Sequence, residues 1–262
     1  MAPRRRTLSI VAVLAVVVLT AGCLSGLPGD DSGDAPGEID GMSADELQES
    51  IIETMDGVET GAMAMEMSVE ADGESMTMST DGVMDISEEK MHMTMNIEMY
   101  GQTQEMESYV VGDTQYVELD GQWFKEDISN QNTWSENFSE QQGVLEEAEI
   151  LYEETTTVDG HEVYVLTLDA DEDVLEDAIE SQQGAEDPMA GDQADISAID
   201  VTLYVDTETH HIRQEVIEMD YEVQGQEATA SMTISYDNFD EPVDIELPEE
   251  AEDAPEAGTG SF

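Results

Sequence analysis

Between residues 60 and 100 the sequence alternates between apolar and polar side chains, and most of the apolar ones are methionines. Successive side chains of a β-strand point to opposite faces of a sheet. A period of two therefore places the apolar residues on one face and the polar residues on the other. The Asp72-Gly73 pair interrupts the alternation, and this dipeptide is typical of the turn between two strands. The stretch therefore predicts an antiparallel meander with an apolar face lined by Met63, Met65, Met67, Met76, Met78, Met91, Met93 and Met95.

A methionine-lined face has three interpretations. Methionine is flexible and polarizable, so such a face forms a packed core, the wall of an apolar ligand cavity, or a set of thioether ligands for a soft metal such as Cu(I). His92 lies between Met91 and Met93, but the alternation directs it to the opposite face, which weakens the metal interpretation. We therefore predict no metal site and no other cofactor.

The segment before the meander predicts an amphipathic helix. Ser43, with Glu46 three positions later, forms a capping box, and Gly57 ends the helical pattern. The apolar residues between them recur at helical spacing and need an apolar surface to pack on. Because the methionine strands follow directly, we expect the helix to close over them. The predicted ligand cavity is lined by Leu47, Ile51, Met55, Met63, Met65, Met67, Met76, Met78, Met91, Met93 and Met95.

The charge of the chain constrains its partners and its solvent. The 262 residues include 65 acidic and 6 basic ones, which gives a formal net charge of -59. Repulsion of this size opposes a compact state in dilute buffer, whereas molar salt shortens the Debye length to about 3 Å. The acids are spread over the whole length and alternate with apolar residues, a pattern typical of a folded protein from a halophile. We predict a monomer with no nucleic-acid partner.

Residues 1–22 have the organisation of an export signal. Arg4–Arg6 form a basic start, and the apolar run Leu8–Leu19 is too short to span a bilayer comfortably. The small residues before Cys23, the only cysteine, resemble a lipoprotein lipobox, in which the cysteine is lipidated. An uncleaved anchor helix is the alternative. Residues 23–40 predict a flexible tether, so the expected location is the extracytoplasmic face of the cell membrane, lipid-anchored through Cys23.

Beyond residue 100 the sequence predicts further antiparallel strands, with hairpin turns at Gly112-Asp113 and Asp159-Gly160. The predicted strands are 104–111, 114–119, 149–158, 161–169, 199–205, 211–223 and 227–236, and the predicted helices are 144–150 and 173–183. With a last extended segment at 239–248, the chain has about ten or eleven strands in one domain over residues 41–249. Residues 250–262 predict a disordered acidic tail, and Asn137 is a candidate glycosylation site.

The sequence does not contain the common motifs of catalysis. There is no Gly-x-Ser-x-Gly, no His-Glu-x-x-His and no glycine-rich phosphate loop. Among 65 acidic residues, pairs of carboxylates are too frequent to identify a catalytic pair. We predict that the protein is not an enzyme and has no catalytic residues.

The order of several short motifs resembles the LolA-like fold, and within it the LppX/LprG-type lipoproteins. After the lipobox and the helix come Gly121-Gln122-Trp123-Phe124-Lys125, Val158-Asp159-Gly160-His161-Glu162, Leu203-Tyr204-Val205-Asp206-Thr207 and Tyr236-Asp237-Asn238-Phe239. The resemblance covers residues 43–249. It implies an α+β, mainly β fold, a strongly curved antiparallel half-barrel with helices over its concave face and an apolar cavity between them.

Proteins of that fold bind acyl chains, and the resemblance implies the same class of ligand here. The resulting hypothesis is a membrane-anchored extracytoplasmic lipoprotein of a halophile that binds a lipid or acyl chain in a methionine-lined cavity. Two alternatives stay open: a Cu(I)-binding lipoprotein, and a structural interaction module of the cell envelope with a filled core.

Overall fold

The structure is a computed structural model. It describes residues 39, 41–71, 74–99, 102–119, 121–129, 143–170, 194–223 and 226–256. The predicted export signal with Cys23, most of the tether, Asn137 and the predicted helix 173–183 lie outside the described residues. None of the helices in the described ranges is long and apolar enough to cross a membrane.

The first helix, α1, spans Ala44–Asp56 and begins at the predicted capping box. The Ser43 hydroxyl accepts a hydrogen bond from the backbone N–H of Glu46, and the Glu46 carboxylate accepts one from the backbone N–H of Ser43. The reciprocal bonds satisfy two donors that a helix start otherwise leaves unpaired. Leu47 and Ile51 are fully buried, so the predicted apolar stripe is the face that packs.

In the part of the chain that the structure describes, eleven antiparallel strands form one open sheet that is not closed into a barrel. The strands are β1 Thr60–Ala71, β2 Glu74–Asp85, β3 Lys90–Met99, β4 Gln102–Val111, β5 Thr114–Leu119, β6 Gln122–Asp127, β7 Glu149–Val158, β8 His161–Asp169, β9 Ala194–Asp206, β10 Ile212–Val223 and β11 Gln226–Asp237. Their spatial order is β6-β5-β4-β3-β2-β1-β11-β10-β9-β8-β7. This mainly β architecture confirms the predicted curved half-barrel.

The predicted hairpins have the turns that their sequences favour. Strands β7 and β8 are joined by Asp159-Gly160, with φ of 49° and 89°. Positive φ at both central residues is the backbone of the tight turn that matches the right-handed twist of paired strands, and glycine adopts it without steric cost. The turn chemistry therefore fixes the register of this hairpin from Val158 opposite His161 onward.

Several predicted boundaries differ from the structure. The described residues 143–147 are helical, but Glu149 and Ile150 already belong to β7. Residues 239–248 were expected to be extended, and they form no strand. The predicted tail is ordered as far as Glu256, which corrects the expectation of disorder from residue 250.

The ordered part of that tail packs against the edge of the sheet. It contains the short helix Glu249–Glu252, in which Ala251 is fully buried, and Ala254 just beyond it is 5 % exposed. The backbone N–H of Lys125 in β6 donates to the carbonyl of Pro255 at 3.0 Å. The small side chains of these two alanines are buried against the protein, whereas the charged residues around them stay exposed. Two apolar positions therefore anchor an otherwise acidic segment.

Helix α1 packs on one half of the sheet. Leu47 and Ile51 belong to a buried cluster with residues of β7 to β10, which includes Ile150, Leu166 and Val201. Met55 is partly buried against the same cluster. The sequence placed this helix over the methionine strands, but those of β1 to β3 are not among the described residues of its cluster. The larger aliphatic side chains of β7 to β9 provide the deeper apolar surface, and the helix lies there.

Candidate functional site

All the predicted methionines of β1, β2 and β3 share one face of the sheet, which we call the methionine face. The register pairs Met67 with Met78 and places Met84 opposite Met91. On the far side of β1, Met67 pairs with Met232 of β11. The same face continues through β10 to the strands under α1, so one mainly apolar surface runs across the sheet.

The described methionines of this face differ in burial. Met91 is 4 % exposed and forms a small cluster with Met84 and Val110, against which Met63 and Met93 pack. The other predicted methionines of the face, Met65, Met67, Met76, Met78 and Met95, are each partly exposed. The strands therefore contain a small packed end and a longer partly exposed wall.

Gly82 allows two methionines to approach each other across β2. A Cβ at this position would lie 3.1 Å from Cγ of Met93 and 3.5 Å from Cγ of Met63. It would also lie 3.2 Å from the backbone oxygen of His92. A side chain would fill this space, so the glycine lets methionines from both flanking strands converge.

Two polar residues that the sequence analysis missed lie on the methionine face. Thr80 pairs with Met65 and Met95, and Glu215 of β10 pairs with Ile234 and Leu203. Thr80 is 2 % exposed, and its hydroxyl has no hydrogen-bond partner among the described residues.

The carboxyl group of Glu215 is partly buried, and burial raises its pKa to about 7. A sequence signal for this residue exists. Glu215 lies on the same face of β10 as Ile217, Met219 and Tyr221, because every second residue of a strand shares a face. An acidic side chain therefore interrupts an apolar series there. An acid at an apolar position of an alternating strand is thus the pattern that identifies it.

The opposite face of the sheet carries the polar clusters. His92 stacks on Tyr109 with ring centroids 4.3 Å apart, and its Nε2 lies 2.8 Å from Oε1 of Glu107. Burial and the hydrogen bond to Glu107 raise the pKa of Tyr109 to about 12. This confirms the prediction that His92 points away from the methionines that flank it.

A second polar cluster surrounds Asp206 at the end of β9. Its carboxylate lies 3.1 Å from Nδ1 of His161 and 3.3 Å from Nε of Arg213. Burial acts to raise the pKa of Asp206, but the backbone N–H groups of Thr209 and Glu208 donate to it and hold the pKa below its ordinary value. Buried charges are paired in this way in structural clusters, so the geometry fits a role in holding the β9–β10 turn.

A cleft of about 500 Å³ lies beside these clusters. Its lining includes Ala64, Asp81, His92, His161, Arg213 and Ser235. The basic groups in it already pair with carboxylates, since Arg213 contacts both Asp206 and Asp237. Across the described part of the chain, no three His, Cys, Asp or Glu side chains are grouped closely enough to hold a metal ion.

Comparison with known proteins identifies the family of the chain. The model of a family of unknown function, DUF6612, matches residues 43–256, which include α1 and the whole sheet. The chain belongs to the DUF6612 family. No curated protein matches the sequence of this DUF6612 protein.

Solved structures match the fold of this DUF6612 protein. The crystal structure of lipoprotein LppX from Mycobacterium tuberculosis is 17 % identical with a TM-score of 0.50, and the match covers 78 % of this chain and 100 % of LppX. That of LprF from Mycobacterium bovis is 14 % identical with a TM-score of 0.50, covering 78 % of this chain and 96 % of LprF. These matches confirm the LppX/LprG-type, LolA-like fold expected from the sequence. At such low identity they establish the fold alone.

Proposed function

We propose that this protein is a membrane-anchored extracytoplasmic lipoprotein of a halophile that binds an apolar ligand, a lipid or acyl chain, along its methionine face. The observation that carries the proposal is the run of partly exposed methionines across β1, β2 and β3. Although the chain has 65 acidic residues, the positions of this face in β1 and β3 carry none, and β2 carries one only at its first residue, Glu74. Contiguous apolar surface of this kind marks a site of interaction.

The chemistry of methionine supports a ligand that varies in shape. Its unbranched side chain has three rotatable bonds and a polarizable sulfur, so it adapts to irregular apolar partners. Each buried methylene group of a bound chain contributes about 0.8 kcal/mol. The predicted cavity residues of this half are Met63, Met65, Met67, Met76, Met78, Met91, Met93 and Met95. Leu47, Ile51 and Met55 of α1, predicted to close the cavity, pack in the cluster over β7 to β10.

Anchoring, location and the absence of catalysis complete the proposal. The small residues before Cys23 support lipidation of that cysteine, and residues 23–40 then serve as the tether. The protein acts as a monomer and a binding module, not as an enzyme, at the outer face of the membrane. Cys23→Ser is expected to leave unprocessed or released protein. Membrane fractionation of that variant at the normal mature mass would contradict the anchoring.

Native mass spectrometry of protein purified from its own host in molar salt tests ligand binding. We expect wild-type protein to carry lipid, and Met65→Gln to lose most of it, because a buried amide without a partner opposes an apolar ligand. Glu66→Gln is the matched control, since Glu66 is exposed on the opposite face of the same strand. Wild-type protein that is empty and does not take up fluorescent fatty acids would refute the proposal.

Binding of Cu(I) is the second candidate, favoured by one observation. Met63 and Met93 converge over Gly82 beside Met84 and Met91, which brings thioethers from three adjacent strands together. Soft thioether ligands select Cu(I). Anaerobic titration with Cu(I) separates the candidates. Tight binding of one equivalent by lipid-free protein, lost in Met93→Leu and kept in Met67→Leu, would favour the metal over the lipid.

A further inference from the structure

Glu215 is chemically unlike its neighbours on the methionine face. The positions of β1, β3, β9, β10 and β11 on this face carry no other acidic residue, in the part of the chain that the structure describes. Its cross-strand partners are Leu203 and Ile234. Outside these five strands, Glu74 at the first residue of β2 and Glu126 of β6 also have the register of this face. Glu215 differs from both in lying between two buried apolar partners.

The carboxyl group of Glu215 makes no hydrogen bond and no ion pair with the described residues. The nearest basic residue along β10 is Arg213, whose guanidinium is engaged by Asp206 and Asp237 and lies over the ring of Phe239 at 5.3 Å. Glu215 is partly buried and its cross-strand partners are apolar, so its carboxyl group lies at an apolar surface. Burial without a partner raises its pKa to about 7.

A second unpartnered polar group lies in the same cross-strand row. Glu215 pairs with Ile234, Ile234 with Met65, and Met65 with Thr80, whose hydroxyl is buried and without a partner among the described residues. Three strand spacings separate Glu215 from Thr80, which is about 14 Å across the sheet. The row thus has a carboxyl group at one end, a hydroxyl at the other, and two apolar side chains between them.

An unpaired polar group at an apolar surface costs free energy that a bound partner recovers. A carboxylate accepts hydrogen bonds and attracts cations, and it repels phosphate and carboxylate groups. The carboxyl group of Glu215 should therefore discriminate among lipids according to the polar group at the end of the acyl chain.

We propose that Glu215 binds the head group of the ligand, and that this head group is a hydrogen-bond donor, a hydroxyl or an amine, on a lipid without an anionic end. The acyl chain then extends past Ile234, which is itself buried, along Met65 and the other partly exposed methionines. This inference rests on the proposed lipid binding and names the class of lipid. It assigns Glu215 as the residue that determines specificity.

Three probes with the same sixteen-carbon chain test the inference: hexadecanol, hexadecylamine and hexadecanoate. Each displaces N-phenyl-1-naphthylamine from the full-length protein in molar salt at pH 8.5, where Glu215 is ionised. We expect the alcohol and the amine to bind roughly tenfold or more tightly than the carboxylate, since hydrogen bonds to a charged group are the strong ones.

Two variants and a control identify the residue responsible. Glu215→Leu should abolish the preference and bind all three chains alike. Glu215→Gln should keep binding the alcohol and lose the advantage of the amine, which distinguishes a hydroxyl head from an ammonium head. Glu218→Gln, exposed on the opposite face of the same strand, should behave as wild type.

The outcomes separate this inference from the proposed function. If the three chains bind wild-type protein equally, or if Glu215→Leu keeps the wild-type preference, the inference is refuted and lipid binding stands. Tighter binding of the carboxylate also refutes it. If neither the fluorescent probe nor any chain binds wild-type protein, both the proposed function and the inference fail.

Discussion

Replacing Glu215 by glutamine should change how the stability of the protein depends on pH. The ordinary pKa of a glutamate is 4.5, and burial raises that of Glu215 to about 7. Between these two values the native state binds a proton that the unfolded state has released. The native protein is therefore favoured by Glu215 below pH 4.5, and this advantage is lost as the pH rises through 7.

The magnitude follows from the size of the shift. Each pKa unit corresponds to about 1.4 kcal/mol, so a rise from 4.5 to about 7 corresponds to about 3 kcal/mol of unfolding free energy. This is an upper value, because Glu215 is partly exposed. Glutamine has nearly the same shape and does not titrate, so Glu215→Gln should gain up to that amount relative to wild type between pH 4.5 and pH 8.5.

Urea unfolding followed by tryptophan fluorescence, at constant molar salt and several pH values, measures this difference. Comparing wild type with the variant at each pH removes the contribution of the many other carboxylates. Glu218→Gln serves as the control and should track wild type across the range. Parallel curves for wild type and Glu215→Gln from pH 4.5 to 8.5 would refute the reasoning that Glu215 is buried against apolar side chains.

Three further predictions concern packing and charge. Gly82→Ala should lower the unfolding free energy by about 1–3 kcal/mol through overpacking, whereas Gly143→Ala, with open space around it, should change it little; equal effects in urea titrations would contradict the contact with Met93. Ala251→Asp should cost roughly 2–3 kcal/mol because it buries a charge, and Glu250→Asp should be neutral; a neutral Ala251→Asp would mean that the short helix Glu249–Glu252 does not pack. Raising NaCl from 0.1 to 3 M should raise the Tm by roughly 10 °C or more, and a Tm indifferent to salt in calorimetry would count against adaptation to a halophilic environment.

Local features of the chain were predictable from the sequence because short-range rules decide them. The capping box at Ser43 fixed the start of α1, and the Asp159-Gly160 pair fixed a hairpin turn. Period-two alternation predicted which side chains share the methionine face, and the register agrees with it at Met67 and Met78. These rules operate over two to four residues, so they can be read from the sequence without knowledge of the tertiary contacts.

Long-range features were not predictable in the same way. The local sequence does not determine that α1 packs over β7 to β10, because the apolar stripe of α1 can pack on any large apolar surface. The packing of residues 250–256 involves the burial of Ala251 and a backbone hydrogen bond from Lys125 to Pro255, while the composition of the segment is that of a disordered tail. Glu215 does not stand out in the sequence, because with 65 acidic residues a single acid at an apolar position of a strand occurs readily by chance.

The sheet order has a consequence for how the protein folds. Strands β1 and β11 are neighbours, and Ala62 in the first pairs with Asp237 in the last. Strands β2 to β6 add to β1 hairpin by hairpin, but the join between the two halves closes a loop that contains most of the chain. Such contacts slow folding, because the entropy of a long loop is lost before the contact is gained. During synthesis β1 therefore keeps an unpaired edge until the last strand emerges, and an incomplete chain is the form most exposed to aggregation.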